Sequence, residues 1–310
     1  MDGPGIEAEV TFHREEVSYS AKLPNSRVGT NSRGPFADRN TPGQKSSRKS
    51  YFWGESIRIG MDRRWIFILV IALWGCEEKK QTEWHPREYL SKVCEDCPSV
   101  RVAIPEADES TALGKGVNQA LREEVIEWLD YDETRDASGI AEAIEAFGAG
   151  FQEIRRQFPD EAIGWEANIE GLISYEDDRL LTLKLETYIF TGGAHGLATT
   201  RYLNFDKSTG EELSNEELFA DVSALENLAE KAFREAKGIP PGAGINDTGF
   251  MFEDDRFNLP ENMGFTPAGL ELLYNPYEVA SYADGPISLV LPLERVRPLL
   301  ASRLQPRLDP

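Results

Sequence analysis

The feature that most limits this chain is an apolar run of eleven residues, Trp65 to Gly75, which follows Met61-Asp62-Arg63-Arg64 and ends at Cys76. A helix that crosses a bilayer needs about 18–20 apolar residues, because the hydrocarbon core is roughly 30 Å thick. The run is too short for that. A charged start, an apolar middle and a small residue before a break are instead the layout of a secretory signal peptide. A stable domain is therefore expected only after Cys76. Residues 1–60 are rich in Gly, Pro, Ser, Asn and Arg and show no strand or helix period. Such a composition cannot bury enough apolar surface to order itself. They read as the product of a mis-called start upstream of Met61, with a disordered cytoplasmic extension as the alternative.

Leu73-Trp74-Gly75-Cys76 resembles the lipobox of bacterial lipoproteins, whose cysteine thiol is acylated before cleavage. The resemblance implies a lipid on Cys76 and an address in the cell envelope, periplasmic or surface-exposed, with the outer membrane favoured. Glu77-Glu78 resembles the acidic surface-export signals of Bacteroidota lipoproteins. The competing reading is an uncleaved signal anchor in a membrane-spanning sensor. Residues 76–97 are then expected to be the lipidated cysteine and its tether, and 98–310 the working domain.

Charge narrows the partners of that domain. The chain carries a formal −21, and from Cys76 onward it holds 46 acids against 22 bases. A nucleic-acid partner is excluded, since phosphate binding needs clustered Lys and Arg. A basic partner would be steered towards the domain.

Periodicity sets the fold class. Ser99 to Ile104 alternates at strand period. Val117, Ala120, Leu121, Val125 and Leu129 recur at helical spacing, and so do Ile140, Ile144, Phe147, Phe151 and Ile154. Two strands follow around Glu176-Asp177-Asp178, then the loop Thr191 to Gly196 and a strand from Thr200 to Phe205. Ser214 and Glu217 form a capping box, and a helix is expected from Ala224 to Lys237. A short hairpin around Pro267-Ala268-Gly269, a strand at Ile287 to Leu291 and a closing helix from Leu293 to Leu300 complete the order. Helices first and strands clustered afterwards predict an α+β fold, a largely antiparallel sheet with amphipathic helices packed on one side.

Thr187 to Phe219, TYIFTGGAHGLATTRYLNFDKSTGEELSNEELF, and Phe265 to Leu300 resemble the C-terminal domain of RsiV-type anti-sigma factors. They also resemble the domain that precedes PdaC-type peptidoglycan deacetylases. The resemblance implies a binding domain rather than a catalyst, with lysozyme or a peptidoglycan-related molecule as its ligand. The deacetylase metal motif and any segment matching a sigma-binding helix are missing from the sequence, so those roles do not transfer with the fold.

Individual residues carry competing readings. His195, in the Gly192-Gly193-Ala194-His195 loop, could act as a general base in a cell-wall-active enzyme. Its plainer roles are to contact a ligand or to hold shut a loop whose glycines adopt φ > 0. Tyr274, Tyr277 and Tyr282 flank the Asn275-Pro276 loop and are either contact residues or sheet-edge packing. Cys94 and Cys97 have the spacing of a redox or zinc motif. A second cysteine pair for zinc is missing, and in an oxidising compartment a short disulfide is favoured. Asp130, Asp132 and Asp136 fail as a calcium loop, because Arg135 stands where that loop requires Gly. No cofactor motif and no catalytic or metal-ligating set is assigned.

Overall fold

The computed structural model describes residues 81–94, 97–130, 137–159 and 164–305. Cys76, the apolar run 65–75, residues 1–60, Asp132 and Asp136 lie outside the described residues. No helix among the described residues is long and apolar enough to cross a membrane.

Strands β1 (Trp84–Leu90), β2 (Ser99–Ala107), β3 (Glu166–Glu176), β4 (Leu180–Phe190) and β5 (Leu197–Asp206) form one sheet in that order. Every neighbouring pair is antiparallel except β2 with β3, which is parallel. The parallel pair needs a long crossover. Helices α1 (Ala112–Leu129) and α2 (Ile140–Gln157) supply it.

Both helices cover one face of the sheet, as the sequence predicts. Their apolar stripes meet the inward residues of the strands, among them Val102, Ile169, Leu181, Leu183, Leu185, Leu203 and Phe205, in a single buried cluster. Each fully buried Leu or Phe there contributes about 1.5–3 kcal/mol. Thr111 caps α1 by accepting from the Gly114 N–H.

The opposite face of the sheet is polar, because alternate residues of the same strands point that way: Asn168 and Glu170, Thr182, Lys184, Glu186 and Tyr188, Thr200, Tyr202 and Asn204. A second sheet lies against part of it. Its strands are β6 (Met263–Thr266), β7 (Gly269–Tyr274) and β8 (Ile287–Leu291), antiparallel and in chain order. The short helix α3 (Asn215–Leu218) starts at Ser214, with the capping box to Glu217 in place. Helix α4 (Val222–Lys237) packs Leu225, Ala229 and Phe233 into a second core with Leu270, Leu272, Leu289 and Leu291. The closing segment is one α-turn, α5 (Leu293–Val296), continued by a 3-10 turn at Arg297–Leu299.

The two sheets meet through hydrogen bonds as well as through apolar contacts such as Tyr175 with Phe265. The Thr182 hydroxyl donates to Asn204 Oδ1 at 2.8 Å, and Asn204 Nδ2 donates to the Met263 carbonyl at 2.8 Å. Ser174 Oγ donates to the Phe265 carbonyl at 2.8 Å, and the Tyr202 hydroxyl to Glu271 Oε2 at 2.7 Å. No buried side-chain nitrogen or oxygen among the described residues lacks a partner. That is what makes a polar interface tolerable in a low-dielectric interior.

Two expectations need correction. The sequence predicts a tether through residue 97, yet Trp84–Leu90 is a strand paired along its length with β2. It escapes periodicity because this edge strand, holding Pro86, Arg87 and Glu88, meets the core only through Trp84 and Tyr89, which do not share a strand phase. Cys94 and Cys97, expected before the first strand, therefore sit between β1 and β2. They are joined there by a disulfide with Cα atoms 5.3 Å apart.

Candidate functional site

The part of the polar face that the small sheet leaves uncovered is a groove of about 430 Å³. Its floor is built from Asn168 and Glu170 on β3, Glu186 and Tyr188 on β4, and Ala198 and Thr200 on β5. Register explains the grouping: Asn168 faces Tyr188, which faces Ala198, and Glu170 faces Glu186, which faces Thr200. The wall is the loop after β7, through Asn275, Pro276, Tyr282, Gly285 and Pro286.

Asn275 fastens that wall to the sheet. Its Oδ1 accepts the Thr200 N–H at 2.8 Å and its Nδ2 donates to the Thr200 carbonyl at 3.0 Å. Further along, Tyr282 sits in a 3-10 turn closed by a capping box in which Asp284 accepts from the Ser281 hydroxyl and N–H.

The loop before β5 meets the loop after β7 at the mouth of the groove. The ring of His195 stacks on Tyr282, with centroids 3.9 Å apart and planes 15° apart. The Tyr282 hydroxyl donates to the Gly196 carbonyl at 2.9 Å, and His195 Nδ1 lies 3.1 Å from the same oxygen. Tyr277 continues the row, its centroid 5.5 Å from that of Tyr282. Gly192 and Gly193 adopt φ of 112° and 91°, conformations that side-chain-bearing residues avoid. A Cβ on Gly196 would stand 2.5 Å from the Tyr188 ring, so only glycine lets the loop approach the groove floor.

His195, Tyr277 and Tyr282 are therefore brought to one rim, with Gly192 and Gly193 in the loop that carries His195. Tyr274 is not. It is 2% exposed in the core of the small sheet, with its hydroxyl donating to the Asn258 carbonyl at 2.6 Å. Burial pushes its phenol well above the usual tyrosine range, with the nearby Glu278 and Glu226 charges adding to it. Of its two readings this removes the contact residue and leaves packing, and the reason is phase: Tyr274 shares the inward parity of Leu270 and Leu272. Tyr277, by contrast, is 60% exposed and has φ of 75°. A non-glycine residue in that region costs roughly 1–2 kcal/mol, and such strain clusters at functional sites.

Electrostatically the groove is acidic. Its lining includes Glu170 and Glu186 and neither Lys nor Arg. Like charges on facing positions repel. Each is offset by a neighbour outside the lining, Glu170 by Arg101 and Glu186 by Lys184, the latter at 2.6 Å. No three His, Cys, Asp or Glu side chains among the described residues converge as a metal site would need.

Sequence reasoning missed the floor residues Asn168, Glu170, Glu186 and Tyr188. Their outward strand phase was legible, but the pairing that gathers them was not.

Two family models together cover most of this domain. Residues 91–198 match deacetylase PdaC, and residues 216–294 match the family of unknown function DUF3298. The domain is of the PdaC/DUF3298 type. Solved structures agree in fold. A DUF3298 family protein from Pseudomonas aeruginosa is 23% identical, with 73% of this chain and 97% of that one covered and a TM-score of 0.51. A DUF3298 member from Bacteroides fragilis is 20% identical, with 72% and 94% covered and a TM-score of 0.55. At these identities the likeness speaks for the fold alone. No curated protein matches the sequence.

Proposed function

We propose that this chain is a lipid-anchored binding protein of the cell envelope, tethered through Cys76, which takes its ligand at the rim formed by His195, Tyr282 and Tyr277. The observation that carries the reading is the His195–Tyr282 stack, which draws two loops 86 residues apart to the mouth of one groove. Aromatic side chains displayed on anchored loops bury large area at little entropic cost. A binding role suits His195 better than base catalysis, because its ring is already engaged by Tyr282 and a loop carbonyl. The acidity of the region after Cys76 favours a basic protein, and the RsiV resemblance makes lysozyme the first candidate, with a peptidoglycan-related ligand next.

The test is titration of the chain with c-type lysozyme at low salt and near 1 M salt, where the Debye length falls to ~3 Å. Binding that survives high salt and is lost in His195→Ala with Tyr282→Ala supports the reading. Binding that vanishes with salt removes lysozyme as the ligand, and salt-resistant binding that is indifferent to both substitutions removes the rim as its site. Lipid labelling that persists in Cys76→Ser would remove the anchor.

A further inference from the structure

A sheet edge exposes a row of unpaired backbone groups, and folded proteins guard such edges against stray strands. Three of the four edges in this domain are guarded. On β1 the guard is Pro86, which has no N–H, together with the charges of Arg87 and Glu88. On β5 the outward groups are taken one after another. The Thr200 and Tyr202 N–H groups donate to Asn275 and Asn262, the Asn204 carbonyl accepts from the Leu213 N–H, and the Asp206 N–H donates to the Glu211 carbonyl. On β6 the Met263 and Phe265 carbonyls accept from Asn204 and Ser174.

The fourth edge is β8. A Cβ on Gly269 would stand 2.1 Å from the Leu291 carbonyl oxygen, so that oxygen faces β7. Backbone direction alternates along a strand, which turns Leu289 and Ile287 the same way and points the N–H and C=O groups of Ser288 and Val290 outward. Among the described residues none of those four groups has a hydrogen-bond partner. The side chains of Ser288 and Val290 are exposed as well, Val290 by 42%, while Leu289 and Leu291 anchor the strand in the core. The strand itself, Ile287-Ser288-Leu289-Val290-Leu291, contains no charge and no proline.

We propose that β8 is a docking edge, to which an extended segment of a partner protein adds as a fourth strand of the small sheet. Strand addition takes affinity from main-chain hydrogen bonds and specificity from alternate side chains. Charge selects the partner. From Cys76 onward the chain holds 46 acids against 22 bases, and the strand itself carries no charge that would oppose a basic segment. A second copy of this chain is disfavoured, since it would carry the same net negative charge to the edge. The fitting occupant is an apolar or threonine-bearing extended segment closed at both ends by Lys or Arg.

The experiment uses the full-length chain and a short peptide of alternating Val and Thr with paired lysines at each end, read by amide hydrogen exchange. The peptide should slow exchange at Ser288 and Val290 by at least about tenfold. A version N-methylated on its bonding edge should do nothing. Val290→Pro, which removes one donor, should abolish the effect. Val290→Lys, a milder change that places a like charge at the edge, should weaken it. Unchanged exchange at both residues, equal action of the N-methylated peptide, or full affinity in Val290→Lys would overturn the proposal. So would protection of both amides in a peptide-free dimer, which would make the occupant a second copy.

Discussion

Gly264 of β6 lies flat against the ring of Tyr202 on β5, so close that a Cβ would stand 2.1 Å from the ring. Tyr202 cannot retreat, because its hydroxyl is held by Glu271 and its N–H by Asn262. Gly264→Ala should therefore push the sheets apart and destabilise the domain by about 2–4 kcal/mol. Thermal unfolding reads this directly, and a Tm within a degree of the parent would mean that the sheets slide freely.

Asn204 joins the sheets by accepting from Thr182 and donating to the Met263 carbonyl. In Asn204→Ala both buried partners are left unsatisfied, at a cost of about 1–3 kcal/mol each. Urea unfolding should show a lower midpoint, and the loss should shrink when Thr182→Val is added, because the orphaned hydroxyl is then gone. Strict additivity of the two changes would argue against the bond.

The rim separates packing from binding. Tyr282→Phe removes only the hydroxyl that donates to Gly196, worth about 0.5–1.5 kcal/mol. Tyr282→Ala also removes the stack on His195. Both should fold, with Tm lowered by only a few degrees. Calorimetric titration should find ligand affinity nearly kept in the first and lost in the second. Equal affinity in both would detach the rim from function.

Stability should peak on the acid side of neutrality. Burial raises the carboxyls of Glu124, Glu212 and Glu278 above the usual glutamate value of 4.5, for the first two in spite of Arg201. Between that value and their raised folded values the folded state holds protons that the unfolded chain has released, so stability falls as pH rises through this window. Asp206 runs the other way. Burial pushes its carboxyl up, but hydrogen bonds from Ser208 and the Arg303 charge outweigh that and leave it below the usual 3.8. Its contribution is present above that value and disappears only as the solution becomes strongly acidic. Calorimetry from pH 4.5 to 8 at fixed ionic strength should give a Tm that declines towards alkaline pH. A Tm that climbs across that range would contradict the assignment.

Much of this architecture is legible in one dimension. Leu181, Leu183 and Leu185 declare a strand with one greasy side, and Val117, Leu121 and Val125 declare the helix stripe that covers it. Ser214 and Glu217 declare a helix start. These signals are local, since they depend on side chains two to four positions apart on the same element. Even the burial of Tyr274 was available in this way, from its phase with Leu270 and Leu272.

By itself, then, the sequence determined the α+β class, the helices on one side of the sheet and the glycines whose φ > 0 shapes the loop before His195. Tertiary structure alone decided that Trp84–Leu90 is a strand, because an edge strand takes its hydrogen bonds from β2 and asks no regular pattern of its side chains. It alone decided that His195 meets Tyr282 and that Glu170 faces Glu186. Those contacts depend on strand register and sheet stacking. Both are set by the summed fit of two cores, which no short stretch of the chain encodes.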